Sequence, residues 1–126
     1  MTARVSAVLF VRDLDRMLGF YSALLAQPCV YRDAYHAVLR CGGFALDLHQ
    51  IPAHAMEGVH GGETAQRARA AVKLSFPVDS IARARQEAAE RGGRLDPPPP
   101  RWVVEQQKIC DGEDPEGNVF QLREDD

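Results

Sequence analysis

Cysteine is scarce in this 126-residue chain, and its three residues form no C-x-x-C pair. A disulfide framework and a zinc knuckle are therefore both excluded, and Cys29, Cys41 and Cys110 are expected to be ordinary buried thiols. Cys110 could also be read as a reactive thiol, but no histidine lies near it in sequence to support nucleophilic catalysis. Basic charge is also limited: 15 Lys and Arg stand against 18 Asp and Glu, for a formal net charge of −3. That balance argues against nucleic acid as a partner. No apolar run approaches the ~20 residues that cross a bilayer, and the opening M-T-A-R-V-S lacks the charged-then-apolar pattern of a signal peptide. A soluble, cytoplasmic protein with no membrane partner is expected. Aromatic residues are few, at 7%, whereas 45% of residues are hydrophobic, enough for one core without metals or disulfides. The whole of 1–126 is read as one domain.

The chain does contain a repeat. V-S-A-V-L-F-V-R-D-L-D-R, from Val5 to Arg16, returns as V-K-L-S-F-P-V-D-S-I-A-R, from Val72 to Arg83, at a constant offset of 67 (73 − 6 = 78 − 11). A second echo closes each half, G-F-A-L-D-L from Gly43 and G-N-V-F-Q-L from Gly117. Ser6 to Val11 reads as a strand. Asp13 then makes a good N-cap for a helix whose apolar face is Leu14, Met17, Leu18, Tyr21, Leu24 and Leu25. Gln27-Pro28 ends that helix, and strands follow over 29–32, 35–41 and 44–50. The second half repeats the order, with a strand over 72–78, Ser80 as N-cap and a helix stopping at Gly92-Gly93. The proline run 97–100 forbids helix and leaves 101–110 as the third strand, before a turn at Asp114-Pro115-Glu116-Gly117. The halves divide into module one at about 1–52, a linker at about 53–70 and module two at about 71–126. Residues 51–71 read as a loop, a linker with a short helix, or a lid.

Alternation along the strands separates two faces. Ala7, Leu9 and Val11, with Phe44, Leu46, Leu48, Leu74, Phe76, Val78, Phe120 and Leu122, form the face that helices cover. The opposite face carries Ser6, Val8 and Phe10, then Ala45, Asp47 and His49, then Lys73 and Ser75, then Val119, Gln121 and Arg123. So mixed a face is either solvated or the lining of a cleft.

The first helix with its F-Y pair, V-R-D-L-D-R-M-L-G-F-Y, together with V-D-S-I-A-R and the closing D-P-E-G-N-V-F-Q-L, resembles the vicinal oxygen chelate superfamily. That group includes glyoxalase I, bleomycin-resistance proteins, fosfomycin-resistance enzymes, extradiol dioxygenases and methylmalonyl-CoA epimerase. The resemblance covers essentially the whole chain. It implies an α+β fold of two βαβββ modules, a curved mixed sheet forming a cleft with helices on its outer face, and a homodimer that completes the cleft. It favours the cleft reading of the mixed face.

In metal-dependent members of that superfamily the ligands lie on the first and last strands of each module, typically His on the first and Glu on the last. Carried onto this chain, those positions are Ser6, Asp47, Lys73 and Gln121. Only Asp47 is a competent anionic ligand, and an ammonium offers no lone pair. No metal and no cofactor are expected, and metal-dependent glyoxalase I activity is disfavoured. Three readings of Lys73 stay open: half of a structural ion pair with Asp47, a cation that orients a ligand oxygen, or a catalytic base. A displaced metal site on Asp47 and His49 lacks a visible third ligand.

The ligand-binding set expected from the resemblance and the alternation is Ser6, Val8, Phe10, Asp47, His49, Lys73, Ser75, Trp102, Gln121 and Arg123. Phe10 and Trp102 are either pocket walls or core, with core the commoner fate. Tyr21 reads as packing, His54 and His60 as solvated loop residues, and Asp114 and Glu116 as turn residues. Two classes of function follow. One is a cleft that sequesters a small organic molecule; the positive charge of Lys73 and Arg123 favours an anionic one. The other is an enzyme of the lyase, isomerase or transferase type that uses Lys73 as acid or base or a non-standard metal set.

Overall fold

Asp13 and Ser80 lie 67 residues apart (80 − 13) and begin the two helices in the same way. The computed structural model describes residues 5–58, 72–98, 101–104 and 107–125. Module one runs β1 (Val5–Val11), α1 (Leu14–Leu25), β2 (Cys29–Arg32), β3 (His36–Cys41) and β4 (Phe44–Gln50), followed by a 3-10 turn at Ala53–Gly58. Module two runs β5 (Leu74–Pro77), α2 (Ile81–Glu90), β6 (Arg94–Leu95), β7 (Arg101–Val104), β8 (Gln107–Glu113) and β9 (Val119–Asp125).

Each helix start is built twice from equivalent parts. The Asp13 side chain accepts from Arg16 N at 3.1 Å, and the Ser80 hydroxyl accepts from Arg83 N at 3.1 Å. A side chain from the module's last strand then takes the next free amide: Gln50 Oε1 from Leu14 N at 2.9 Å, and Glu124 Oε1 from Ile81 N at 2.5 Å. Two of the amides that a helix start leaves unpaired are thus satisfied in each module.

The sheets repeat the same plan. β1 pairs parallel with β4, and β5 parallel with β9; the orders are β1-β4-β3-β2 and β5-β9-β8-β6, with β7 also on β8. Register confirms the 67-residue offset, because Val8 lies opposite Asp47 as Ser75 lies opposite Gln121. The strand expected over 101–110 is instead a hairpin of β7 and β8, in which Val104 faces Gln107. The edge that β2 forms in module one is formed by β6 and β7 in module two, both paired with β8 on either side of the proline run. Proline cannot donate to a ladder, so the run interrupts an edge strand where it costs least. β5 is shorter than the expected 72–78 and begins after Lys73.

The core is the helix-covered face: Leu39, Leu46, Leu48, Phe76, Phe120 and Leu122 from the strands meet Met17, Phe20 and Leu24 of α1 and Ile81 of α2. Module two holds α1 at both ends. Glu116 accepts from Arg12 N and Asp13 N at 2.8 and 3.0 Å, and the Arg83 guanidinium donates to Ala23 O and Leu24 O at 2.9 and 2.8 Å. A carboxylate at the start and a guanidinium at the end match the helix dipole as well as its free backbone groups. The modules of this chain are therefore docked through α1.

Candidate functional site

The helices cover one face of each sheet, and the strands dictate what the other face presents. On module one the cross-strand rows are Ser6–Ala45–Arg40, Val8–Asp47–Val38 and Phe10–His49–His36. The last row is a strip of rings: Phe10 meets His49 edge-on with centroids 5.7 Å apart, and His49 meets His36 at 4.5 Å. Asp33 fixes the end of the strip, with its carboxylate 3.1 Å from His36 Nδ1 and also accepting from the Tyr31 hydroxyl and the Tyr35 and His36 amides. Those bonds, the Tyr31 hydroxyl first, hold the Asp33 carboxyl well below the ordinary carboxylate range. Phe10 is 64% exposed, so it is not core; no described element covers the strip.

Module two presents a more polar face. Lys73 Nζ donates to Asp111 Oδ2 at 2.9 Å, forming an ion pair whose side chains are 40% and 23% exposed. Arg123 Nε donates to Ser75 Oγ at 3.0 Å, and Ser75 Oγ donates to Gln121 Oε1 at 2.9 Å, a relay across β9 and β5. Lys73 therefore pairs with Asp111 of β8 and not with Asp47, and Gln121 serves Ser75 and not Lys73. The structure joins Phe10 with His49, Lys73 with Asp111, and Ser75 with Gln121 and Arg123; it draws no bond among Ser6, Asp47 and Lys73.

Between the free edges of β1 and β5 lies a groove of about 260 Å³, lined by Ala7, Val8, Tyr21, Leu74 and Asn118 among others. Under it sits Asp114, buried, whose carboxylate accepts from Tyr21 Oη at 2.6 Å, Asn118 Nδ2 at 2.8 Å, and the Glu116 and Asn118 amides at 2.9 and 3.0 Å. Burial raises the Asp114 carboxyl above its ordinary range, outweighing the hydrogen bonds that pull it down. Burial, and then the Asp114 charge, push the Tyr21 hydroxyl well above its usual value, so Tyr21 remains the donor. Because the native carboxyl keeps its proton to higher pH than the unfolded one, the group favours the native state most below the unfolded value, and that contribution fades as pH rises through the raised one. Stability measured by urea unfolding from about pH 4 to about pH 6 is expected to change less with pH in Asp114→Asn than in the wild type.

Several residues fall elsewhere than expected or escaped the alternation argument. The alternation argument covers β1, β4, β5 and β9 and does not reach His36 and Arg40 of β3, where Ala37 and Leu39 are buried and His36, Val38 and Arg40 face outward. Asp111 lies beyond the strand that the sequence predicts over 101–110, which the structure divides into β7 and β8. Cys29 is exposed, contrary to the buried thiol expected, because its strand is an edge. Cys110 is buried on the core face, and desolvation raises its thiol, opposing thiolate chemistry. His54 lies exposed in the 3-10 turn, while His60, most of the linker and the Trp102 side chain lie outside the described residues.

Comparison with known proteins decides the kinship. Residues 6–123 match the family model described as a glyoxalase-like domain. The chain belongs to that family. The glyoxalase-like chain thus falls in the vicinal oxygen chelate superfamily that its motifs resemble. Among solved structures it is similar to a glyoxalase/bleomycin resistance protein/dioxygenase family enzyme from Burkholderia phytofirmans PsJN, at 21% identity over 94% of this chain and 95% of that one, TM-score 0.65. It is similar to the bleomycin resistance determinant encoded on transposon Tn5, at 20% identity over 99% of each chain, TM-score 0.63. It is also similar to a mutant of the fosfomycin resistance protein FosX from Listeria monocytogenes, complexed with Mn(II) and 1S,2S-dihydroxypropylphosphonic acid, at 14% identity over 100% of this chain and 90% of that one, TM-score 0.65. These likenesses establish the fold. No curated protein matches the sequence.

A metal like that of the FosX complex does not fit the residues present here. Ser6, Lys73 and Gln121 stand at three of the four positions implied by the superfamily, and Lys73 is engaged as an ammonium donor to Asp111. Among the described residues no three His, Cys, Asp or Glu side chains are grouped to hold an ion. Within the same limits, no helix is long and apolar enough to cross a membrane.

Proposed function

We propose that this glyoxalase-like protein binds a small organic molecule on the open faces of its two sheets, without a catalytic metal, as a cytoplasmic homodimer. The observation that carries the reading is the exposed strip Phe10–His49–His36 beside the half-buried Asp47. Edge-on rings, one apolar and two imidazole, next to a few fixed polar groups are what a small-molecule site offers. Module two supplies the opposing polar wall, Lys73–Asp111 and Arg123–Ser75–Gln121. Apart from Phe10 of the strip and Val8 of the groove, Val5, Val30, Tyr31, Tyr35 and Val72 are large apolar or aromatic residues left exposed, a surface that a second copy would cover.

The salt bridge of Lys73 favours binding over base catalysis, since an acid–base role requires that the amine leave Asp111. The rival reading is an enzyme in which it does. Screening small aromatic fragments by ¹H–¹⁵N spectra is expected to shift amides of β1, β3 and β4 together with those of β5 and β9. Lys73→Ala is expected to weaken such binding by less than about tenfold, a loss of under about 1.4 kcal/mol. Turnover of a bound compound that is abolished in Lys73→Ala with the fold intact would replace this reading with the enzymatic one.

A further inference from the structure

Arg40 and Asp47 present a charge arrangement that neither the family motifs nor the alternation argument assigns. Arg40 on β3 lies opposite Ala45 of β4, and Asp47 stands two residues along the same strand, so the two are diagonal neighbours on the open face. Diagonal neighbours on adjacent strands lie about 7–8 Å apart at the backbone, within reach of an arginine. Yet they form no ion pair, although Arg32, Arg91, Arg94, Lys73 and His36 each have a carboxylate partner. Both side chains are half-buried, and the Arg40 Nε is fully shielded with no hydrogen-bond partner among the described residues. Shielding a guanidinium nitrogen without a partner is costly, as is half-burying an unpaired carboxylate. Next to Asp47 on the same face runs the ring strip of Phe10, His49 and His36.

We propose that Arg40 and Asp47 are the two poles of a subsite for a small molecule carrying a carboxylate and a neighbouring ammonium, with an aromatic or apolar tail laid on the ring strip. The guanidinium takes the carboxylate through its two terminal NH₂ groups, the Nε being shielded, and Asp47 takes the ammonium, so that each half-buried charge gains a partner only when the ligand is present. Ala45 and Ser6 complete the row beside Arg40, with Ala45 buried and the exposed Ser6 on its far side. A purely anionic ligand satisfies Arg40 and is repelled by Asp47; a purely cationic one meets the reverse. Opposite charges on the protein therefore select a dipolar ligand.

The inference rests on the cleft reading above, and the test separates the two. L-phenylalanine, 3-phenylpropionate, 2-phenylethylamine and the uncharged 3-phenylpropanamide are titrated into ¹⁵N-labelled full-length protein at neutral pH. Phenylalanine is expected to bind at least tenfold more tightly than any of the other three and to shift amides of β3 and β4. Arg40→Gln should reduce its affinity to that of the amine, and Asp47→Asn to that of the phenylpropionate. Arg40→Lys, which keeps the stem and charge but loses the fork, serves where Arg40→Gln does not fold and should bind phenylalanine more weakly than the wild type. Equal binding of all four probes, or phenylalanine affinity unchanged in these variants, would overturn the proposal. Binding of the uncharged amide without phenylalanine would also overturn it while leaving the cleft reading intact. The absence of any shift on the open faces would overturn both.

Discussion

Asp114→Ala is expected to destabilise the protein by about 3 kcal/mol or more, and to lower its melting temperature by roughly 10 °C. The substitution removes one carboxylate and strands four donors at once: Tyr21 Oη, Asn118 Nδ2 and two backbone amides. Each buried donor left without an acceptor costs about 1–3 kcal/mol, reduced where water can enter from the groove above. The turn that Asp114 organises also carries Glu116, which receives the amides at the start of α1, so loss of the hub loosens the contact between modules. Tyr21→Phe removes only the hydroxyl from the same network and should cost about 1 kcal/mol. Urea unfolding of the two variants and their double mutant checks the account, because the double mutant should cost clearly less than the sum. An Asp114→Ala protein within about 0.5 kcal/mol of the wild type would show the network to be ornamental.

Phe76→Ala is expected to cost about 4 kcal/mol. Phe76 is 2% exposed on β5 of module two and packs on two rings of module one: Phe44 of β4 with centroids 6.0 Å apart and Tyr21 of α1 at 6.2 Å. Truncation leaves a cavity where the two sheets meet α1, a site where neither sheet can collapse without losing its own register. Phe44 is less buried, so Phe44→Ala should cost less. The pair should fall short of additivity by about 1 kcal/mol, the coupling of two edge-on rings. Guanidinium unfolding of the four proteins measures both numbers.

The repeat was the most legible part of the sequence, because pairing parallel strands in equivalent registers requires residues of equivalent type at a fixed offset. It located β1, β4, β5 and β9, both helix caps and the helix-covered face, and the pairings Val8–Asp47 and Ser75–Gln121 bear it out. The middle strands were less legible. Proline at 97–100 lies between the edge strands β6 and β7, and β7 and β8 pair as a hairpin with no Gly or Asn pair between them in the sequence to announce it. The site suffered most from that gap, since Asp111, His36 and Arg40 come from β3 and β8. Ion pairing was not legible either: the resemblance puts Lys73 and Asp47 at ligand positions, but an ammonium on a flexible stem takes whichever carboxylate register sets nearest, and that is Asp111. The motif D-P-E-G-N proved to mean more than a turn. Asp114 anchors Tyr21, and Glu116 caps a helix over 100 residues earlier in the chain, a link that no local reading of a turn provides.

The proposed site binds its small molecule without a metal. Elemental analysis of tag-free protein, purified without chelator, loaded with nickel, zinc, iron or manganese and then dialysed, tests it most directly. Well under about one ion per ten chains, unchanged in Asp47→Ala, is the expected result, since Lys73 donates to Asp111 at a position where the superfamily resemblance implies a ligand. Near-stoichiometric metal that disappears in Asp47→Ala would contradict the account and establish a metal centre of non-standard ligands on the same face.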